Sequence, residues 1–175
     1  YSSLKKPITT SDRILLLVTG IIPDEVRFQI QLLKQANEKG GLEKYKEVWI
    51  KPHPGLSLDN ILKELNPSFK FTIAHSHINK LMAHADVVYC SNSTGASLEA
   101  AWLGVPLILL AARDSMNLNP LFGFSGQSFV KDSSDLVLAL ENPKTTNIPK
   151  DYFFLDEKLH SWKNLLELNE TPKSL

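Results

Sequence analysis

The sequence predicts an α/β fold: a doubly wound, Rossmann-like parallel sheet of about six strands flanked by helices. Short apolar runs alternate along the chain with segments of helical periodicity, which is typical of strand–helix–strand units. The strand runs are apolar without alternation, as in RILLLV at 13–18, which indicates strands buried on both faces. Because crossovers between parallel strands are right-handed, few topologies remain, and we expect the order 3-2-1-4-5 for the first five strands.

The element boundaries follow from local start and stop signals. The first helix begins at Pro23, followed by two acids, and ends at Gly40-Gly41. Asn66-Pro67 ends the second helix. The predicted strands are 13–18, 48–50, 69–73, 86–90, 105–110 and 127–130, and the later helices are 58–65, 77–84, 96–103, 132–140 and 156–168.

Length suggests one domain. Of the 175 residues, we expect 13–168 to form a single Rossmann-like domain, 1–12 a flexible or linker-like start, and 169–175 a tail. Because the chain begins with Tyr1, we expect it to be a piece of a longer protein.

Charge and composition narrow the class of partner. Nineteen basic and nineteen acidic residues give no net charge, which argues against a general nucleic-acid or membrane-surface binder. The single cysteine, Cys90, excludes an intrachain disulfide and fits a reducing compartment. No apolar run is long enough for a transmembrane helix, and no signal peptide opens the chain. We therefore expect a cytoplasmic location, which could include the inner face of the membrane.

The ligand site is expected where the winding of the sheet reverses. In open α/β sheets, ligands bind beyond the carboxyl ends of the strands at that point. In the predicted order, strand one lies between strands two and four, so the three loops that follow them should meet. These loops contain Thr19, Gly20 and Ile21, then Pro52 to Gly55, then Ser91 to Gly95.

His53 is held between two prolines at the end of a strand. Pro54 keeps His53 away from helical backbone angles, and Pro52 does the same to Lys51. The imidazole is thus presented rigidly at the edge of the sheet. A protonated ring there could donate to a phosphate oxygen or support a departing phosphate. The alternative is a histidine that only caps a strand turn.

The loop after the fourth strand offers several groups that could bind an anion. Ser91, Asn92, Ser93 and Thr94 provide hydroxyls and an amide, and Gly95 stands at a helix start, where free N–H groups favour an anion. The alternative is plain helix capping by Ser93 or Thr94.

Glu99 follows in the first turns of the same helix. With alanine at position 96, Glu99 completes no capping box, so it could reach a ribose hydroxyl or be a solvated surface carboxylate.

Few cations lie near the predicted site. Lys51, Arg113 and His53 are the candidates, which favours one phosphate over a pyrophosphate. Arg113 also opens an aperiodic stretch, 113–126, and a loop of that length is usually functional or disordered.

Other nucleotide and catalytic motifs are missing from the sequence. It contains no GxGxxG after strand one, no GxxxxGK[ST] and no GxSxG around Ser93. His75, His77 and His84 have no carboxylate or cysteine at metal-ligand spacing. We expect neither a metal nor a cofactor.

Two segments together resemble a known family. KPHPG at 51–55 and ADVVYCSNSTGASLEAAWLGVPLI at 85–108 are similar to the carboxyl-terminal, donor-binding domain of GT-B glycosyltransferases. The resemblance is greatest to bacterial sialyltransferases, polysialyltransferases and related surface-carbohydrate biosynthesis proteins. It implies that His53 and Pro54 form the HP motif and that Ser93 and Thr94 address the phosphate of a CMP-sugar. It also implies that Glu99 binds ribose and that Asn117, Asn119 and Pro120 lie by the base or the sugar.

The resemblance implies inverting sugar transfer in polysaccharide, capsule or lipopolysaccharide synthesis, with CMP-sialic acid or a similar CMP-sugar as donor and a glycan as acceptor. Retaining relatives often carry a second glutamate eight residues after the first, where this chain has Leu107. The general base of sialyltransferases belongs to an amino-terminal domain, so this chain alone would bind donor without turnover. Two alternatives stay open. One is a UDP-sugar transferase or 2-epimerase, whose Ser-Gly-Gly and paired glutamates fit less well. The other is a non-catalytic module with the same fold.

Overall fold

The computed structural model describes residues 12–113, 116–149, 152 and 159–166. Its sheet has six parallel strands in the order β3-β2-β1-β4-β5-β6, which confirms the predicted fold class and topology. The sixth strand, expected at 127–130, is also confirmed. The strands are β1 Arg13–Val18, β2 Tyr45–Lys51, β3 Thr72–Ile73, β4 Val87–Cys90, β5 Leu107–Leu110 and β6 Ser128–Val130.

Helices cover both faces of this sheet. They are α1 Pro23–Glu38, α2 Asp59–Leu65, α3 Ile78–Met82, α4 Ala96–Trp102, α5 Ser133–Glu141 and α6 His160–Leu165. Apolar residues of α1, α2 and α5 pack on one face, and those of α3 and α4 on the other. Along β1, Leu15 and Leu17 join the first cluster while Leu16 and Val18 join the second. This two-sided burial explains why the strand is apolar without alternation.

The helix boundaries follow the expected local signals. α1 has proline at its amino-terminal end, acids in its first turn, and Gly40 just beyond it at φ 82°. Asn66 ends α2 in the left-handed conformation at φ 41°. Within the described residues, no helix has the length and apolar character needed to cross a membrane.

Several element boundaries differ from the prediction. β2 begins at Tyr45 rather than at Val48, and β5 begins at Leu107 rather than at Val105. Only residues 72–73 of the expected strand 69–73 pair with β2. Phe69 and Phe71, whose ring centroids lie 5.9 Å apart in an edge-to-face contact, pack into the core beside the strand. α3 is five residues long and begins after His77, whose Nδ1 accepts from the N–H of Asn79 at 3.5 Å. α6 covers 160–165 of the expected 156–168, and 156–158 and 167–168 lie outside the described residues.

Strand register brings three loops together at the carboxyl edge. Val18 pairs with Lys51 on one side and with Cys90 on the other. The chains leaving β1, β2 and β4 therefore start level with one another, as the order predicts.

Candidate functional site

His53 is fixed at this edge by two hydrogen bonds, each between a backbone N–H and a side-chain atom. Its N–H donates to Oγ1 of Thr19 at 3.0 Å, and its Nδ1 accepts from the N–H of Gly55 at 3.1 Å. With Nδ1 as acceptor, a neutral ring carries its proton on Nε2. The half-buried imidazole can therefore donate to an anion through Nε2.

Thr19 connects the loop after β1 with the loop after β2. It is buried, its N–H donates to the carbonyl of Lys51 at 3.1 Å, and its hydroxyl accepts from His53. Thr19 is therefore the residue that orients the histidine backbone.

Gly20 allows the loops that follow β1 and β4 to touch. A Cβ built on Gly20 would lie 2.1 Å from Oγ of Ser93 and 2.6 Å from Oγ of Ser91. Any side chain at position 20 would push the serine hydroxyls aside. The structure thus brings Gly20, Ser91 and Ser93 together, as predicted.

A carboxylate that sequence reasoning missed occupies the serine loop. Oε1 of Glu25 accepts from the Ser93 N–H at 3.0 Å, the Ser93 hydroxyl at 3.2 Å, and the Ser91 hydroxyl. The sequence pattern explained Glu25 as an acid in the first turn of a helix. The available signal was position, because the first turn of α1 follows the β1 loop at the same edge as the serine loop.

Asn92 and Thr94, in the loop after β4, also make hydrogen bonds with neighbouring residues. Asn92 is buried, its Nδ2 donates to the carbonyl of Met116 at 3.4 Å, and its Oδ1 has no partner among the described residues. Oγ1 of Thr94 accepts from the N–H of Ala96 at 3.3 Å. The N-cap of α4 is Gly95, which makes no side-chain bond, so Ser93 does not cap the helix. Capping by Thr94 stays open, because its hydroxyl accepts from the first N–H of α4.

Arg113 lies beside this loop. Together with Asp24, Glu25, Phe28 and Asn92, it lines a cleft of about 410 Å³, which we name the α1 cleft. Its guanidinium lies 4.5 Å above the centre of the Phe28 ring. Contact of Arg113 with a ligand stays a prediction.

Lys51 and Glu99 point to other parts of the edge. Nζ of Lys51 donates to the carbonyl of His75 at 3.4 Å, on the β3 side, so the structure directs this cation to the β3 loop rather than to the serines. Glu99 is exposed and lines a second cleft, of about 500 Å³, with His77, Leu98 and Trp102. We name this the α4 cleft.

The described part of the 113–126 stretch is held by its own turns. Oδ1 of Asn117 accepts from the N–H of Asn119, and Oδ1 of Asn119 accepts from the N–H of Leu121, both at 2.9 Å. The carbonyl of Pro120 accepts from the Tyr152 hydroxyl at 3.5 Å. These side-chain oxygens shape the loop, and their contact with base or sugar stays a prediction.

Cys90 is a core residue. Burial raises the pKa of its thiol, and the Glu99 carboxylate adds to the effect. The thiol is therefore protonated and unsuited to act as a nucleophile. Among the described residues, no group of three or more histidine, cysteine or acidic side chains is placed to hold a metal ion.

No protein-family model and no curated protein sequence matches this chain. Solved structures do. The UDP-GlcNAc 2-epimerase from Methanocaldococcus jannaschii is 20 % identical, with a TM-score of 0.62 over 92 % of this chain and 47 % of its own. The UDP-GlcNAc 2-epimerase from Neisseria meningitidis, bound to UDP-GlcNAc, is 16 % identical, with a TM-score of 0.61 over 91 % of this chain and 46 % of its own. The glycotransferase of kitacinnamycin is 14 % identical, with a TM-score of 0.51 over 79 % of this chain and 36 % of its own.

These similarities establish the fold. The chain has the Rossmann-like architecture shared by GT-B-like glycosyltransferases and UDP-GlcNAc 2-epimerases, and it spans about half the length of those epimerases. The narrower likeness to sialyltransferases stays a prediction.

Proposed function

We propose that this chain is the nucleotide-sugar-binding domain of a GT-B-like glycosyltransferase. One observation carries the proposal: a histidine from the β2 loop and two serines from the β4 loop converge around Thr19 and Gly20. This meeting point lies at the switch point of the sheet, where α/β proteins bind nucleotides. The phosphate of the donor would lie there, within reach of the Nε2–H of His53.

The two clefts would take the two ends of the donor. The nucleoside would lie in the α4 cleft, where Glu99 could accept hydrogen bonds from ribose hydroxyls. The sugar would lie in the α1 cleft, beside Arg113 and Asn92 and near the 116–126 loop. Pro54, exposed next to His53, would keep the histidine extended beyond β2.

The reaction we propose is inverting transfer. An acceptor hydroxyl oxygen forms a bond to the anomeric carbon while the bond from that carbon to the phosphate oxygen breaks. The electron pair goes to the phosphate, whose new charge would be stabilised by His53 and the loop donors. The acceptor proton passes to a general base from an amino-terminal domain of the same protein.

We favour a CMP-sugar, such as CMP-sialic acid, as the donor, with a surface glycan as the acceptor. The support is the scarcity of cations: Lys51 is directed to the β3 side, so Arg113 is the cation among the residues lining the α1 cleft. One phosphate needs less fixed positive charge than a pyrophosphate.

A UDP-sugar 2-epimerase is the second candidate. It is favoured by the likeness to the epimerases over more than nine-tenths of this chain, including one that binds UDP-GlcNAc. Both candidates require nucleotide binding, but they differ in nucleotide and in product.

The test is a titration of the chain with CMP, UMP, UDP and GDP, in which binding is measured by NMR and by calorimetry. We expect selective binding of CMP, and a loss of about tenfold in affinity, or about 1.4 kcal/mol, in His53→Ala. His84→Ala, which removes an exposed histidine two residues beyond α3, is the matched control and should bind as the wild type does.

Other outcomes assign other functions. Preference for UDP, together with 2-epimer formation from UDP-GlcNAc by the longer protein, would favour the epimerase. If no nucleotide binds to the chain or to the longer protein, the proposal is wrong and the non-catalytic alternative is favoured.

A further inference from the structure

Glu25 fills the place that the proposed function gives to a phosphate. Three donors of the serine loop, two hydroxyls and one backbone N–H, converge on a single carboxylate oxygen. A phosphate oxygen in this loop would need the same donors. Two anions cannot share them, because like charges at hydrogen-bonding distance repel each other strongly.

We propose that Glu25 is an intramolecular competitor for the Ser91–Ser93 donors, which a ligand phosphate must displace in order to bind. This inference rests on the proposed phosphate position, and it adds a residue that sets affinity. In the free chain, the carboxylate satisfies the loop donors and holds the loop against α1. The bound ligand would take over those hydrogen bonds.

Glu25 is placed to move without unfolding the helix. It is half-buried in the first turn of α1, whereas the next residue, Val26, is fully buried and anchors that turn. The glutamate side chain has three rotatable bonds, so the carboxylate can leave the loop while the backbone stays in place.

The α1 cleft offers the displaced carboxylate a new partner. Glu25 lines this cleft, and Arg113 is the cation among the lining residues. The guanidinium carbon lies 4.5 Å above the centre of the Phe28 ring. A guanidinium over a ring face can still donate from its edge N–H groups to a carboxylate. Glu25 would exchange its serine-loop partners for Arg113 when a phosphate enters.

The test compares Glu25→Ala and Glu25→Gln with the wild type. Each variant is titrated with inorganic phosphate and with CMP and UMP, and the NMR signal of the Ser93 amide is followed. We expect Glu25→Ala to bind phosphate about tenfold tighter than the wild type, since charge-assisted hydrogen bonds no longer have to be broken. Glu25→Gln keeps a hydrogen-bond acceptor without the charge, so its affinity should be intermediate.

Glu38→Ala is the matched control. Glu38 is exposed at the other end of α1, so the variant removes one charge from the same helix without touching the loop. Its affinity should equal that of the wild type. Equal or weaker binding by Glu25→Ala would overturn the inference and make Glu25 a residue that only holds the loop in shape.

Arg113→Ala tests the exchange step. If Arg113 receives the displaced carboxylate, its loss should weaken phosphate binding in the wild type about threefold or more and have no effect in the Glu25→Ala background. An equal loss in both backgrounds would show that Arg113 contacts the ligand itself, and the exchange would be wrong.

The two proposals fail in different ways. If nucleotides bind the wild type at Ser93 and Glu25→Ala binds them no tighter, the inference fails and the proposed function stands. If Glu25→Ala gains phosphate binding but no variant binds a nucleotide, the inference stands and the proposed function fails. If no variant binds any anion, both are wrong.

Discussion

Gly20→Ala should destabilise the protein and disrupt the serine loop. The added Cβ would lie 2.1 Å from the Ser93 hydroxyl oxygen and 2.6 Å from that of Ser91, whereas ordinary contacts are 3.4–4 Å. The hydroxyls can avoid the Cβ only by rotating. Both now donate to Glu25, so rotation breaks two hydrogen bonds to a carboxylate.

The size of the effect follows from those two bonds. A hydrogen bond to a charged group contributes about 1.5 kcal/mol at the low end of its range, so two contribute about 3 kcal/mol. Ser93 and Glu25 are only half-buried, so solvent reduces this to about 2 kcal/mol. Alanine also restricts the unfolded chain, which offsets about 0.5 kcal/mol. The net loss is about 1.5 kcal/mol, or about 3–6 °C in Tm for a chain of this size.

Urea unfolding monitored by circular dichroism measures this loss, and Gly95→Ala is the control. Gly95 belongs to the same predicted phosphate site, but a Cβ there meets no atom within 4 Å, and its φ of −72° and ψ of −11° suit any residue. Gly95→Ala should therefore be neutral or stabilise by about 0.5 kcal/mol. If Gly20→Ala is as stable as Gly95→Ala, the close approach of the two loops is wrong.

Further predictions concern buried hydroxyls and a helix cap. Tyr45→Phe should lower the free energy of unfolding by about 1 kcal/mol, because the tyrosine hydroxyl donates to a backbone carbonyl of α5 at 2.8 Å. Tyr89→Phe should be neutral or stabilising, because the buried hydroxyl of Tyr89 has no partner among the described residues. Urea titrations of the two variants test this difference. Burial raises the pKa of Tyr45 to about 12 from 10.0, so its contribution to stability is complete below pH 10.0 and should fall between pH 10.0 and about 12, a loss that Tyr45→Phe should not show. A hydrogen bond from the N–H of residue 135 lowers the pKa of the exposed Asp132 carboxyl below 3.8. Asp132→Ala should therefore remove stability that the wild type has above pH 3.8 and loses as the pH falls further. The unfolding free energy is measured against pH for both proteins, and parallel curves for the wild type and the variant would contradict this prediction. Thr19→Val removes the hydroxyl that accepts from the backbone N–H of His53. The variant should bind nucleotide several-fold more weakly and lose only about 1 kcal/mol in stability. Unchanged affinity would show that Thr19 does not position the histidine.

The sheet could be predicted because its signals are local. β4 and β5 are short apolar runs, and every residue in them is buried. β3 shows the limit of this reasoning. Alternation at Phe69 and Phe71 is typical of a strand, but both rings pack into the core while only residues 72–73 pair with β2. A pattern of period two does not state which partner the side chains will meet.

The candidate site could be predicted only as a set of loops. Their position follows from strand order, and the structure brings His53, Gly20 and Ser93 to one place. Glu25 was missed because an acid in the first turn of a helix already has a local explanation. Lys51 was expected among the few cations of the site, but its side chain donates to the carbonyl of His75 on the β3 side.

The sequence by itself determined the order of strands and helices and which loops gather at the carboxyl edge, because apolar runs, prolines and glycines act on their immediate neighbours. Tertiary structure alone decided which groups of those loops touch. The contact of Glu25 with Ser93 joins residues 68 positions apart, and it depends on the packing of α1 across the sheet. Side-chain contacts over such separations are set by that packing, so residue type and spacing could not reveal that the proposed phosphate site already holds a carboxylate.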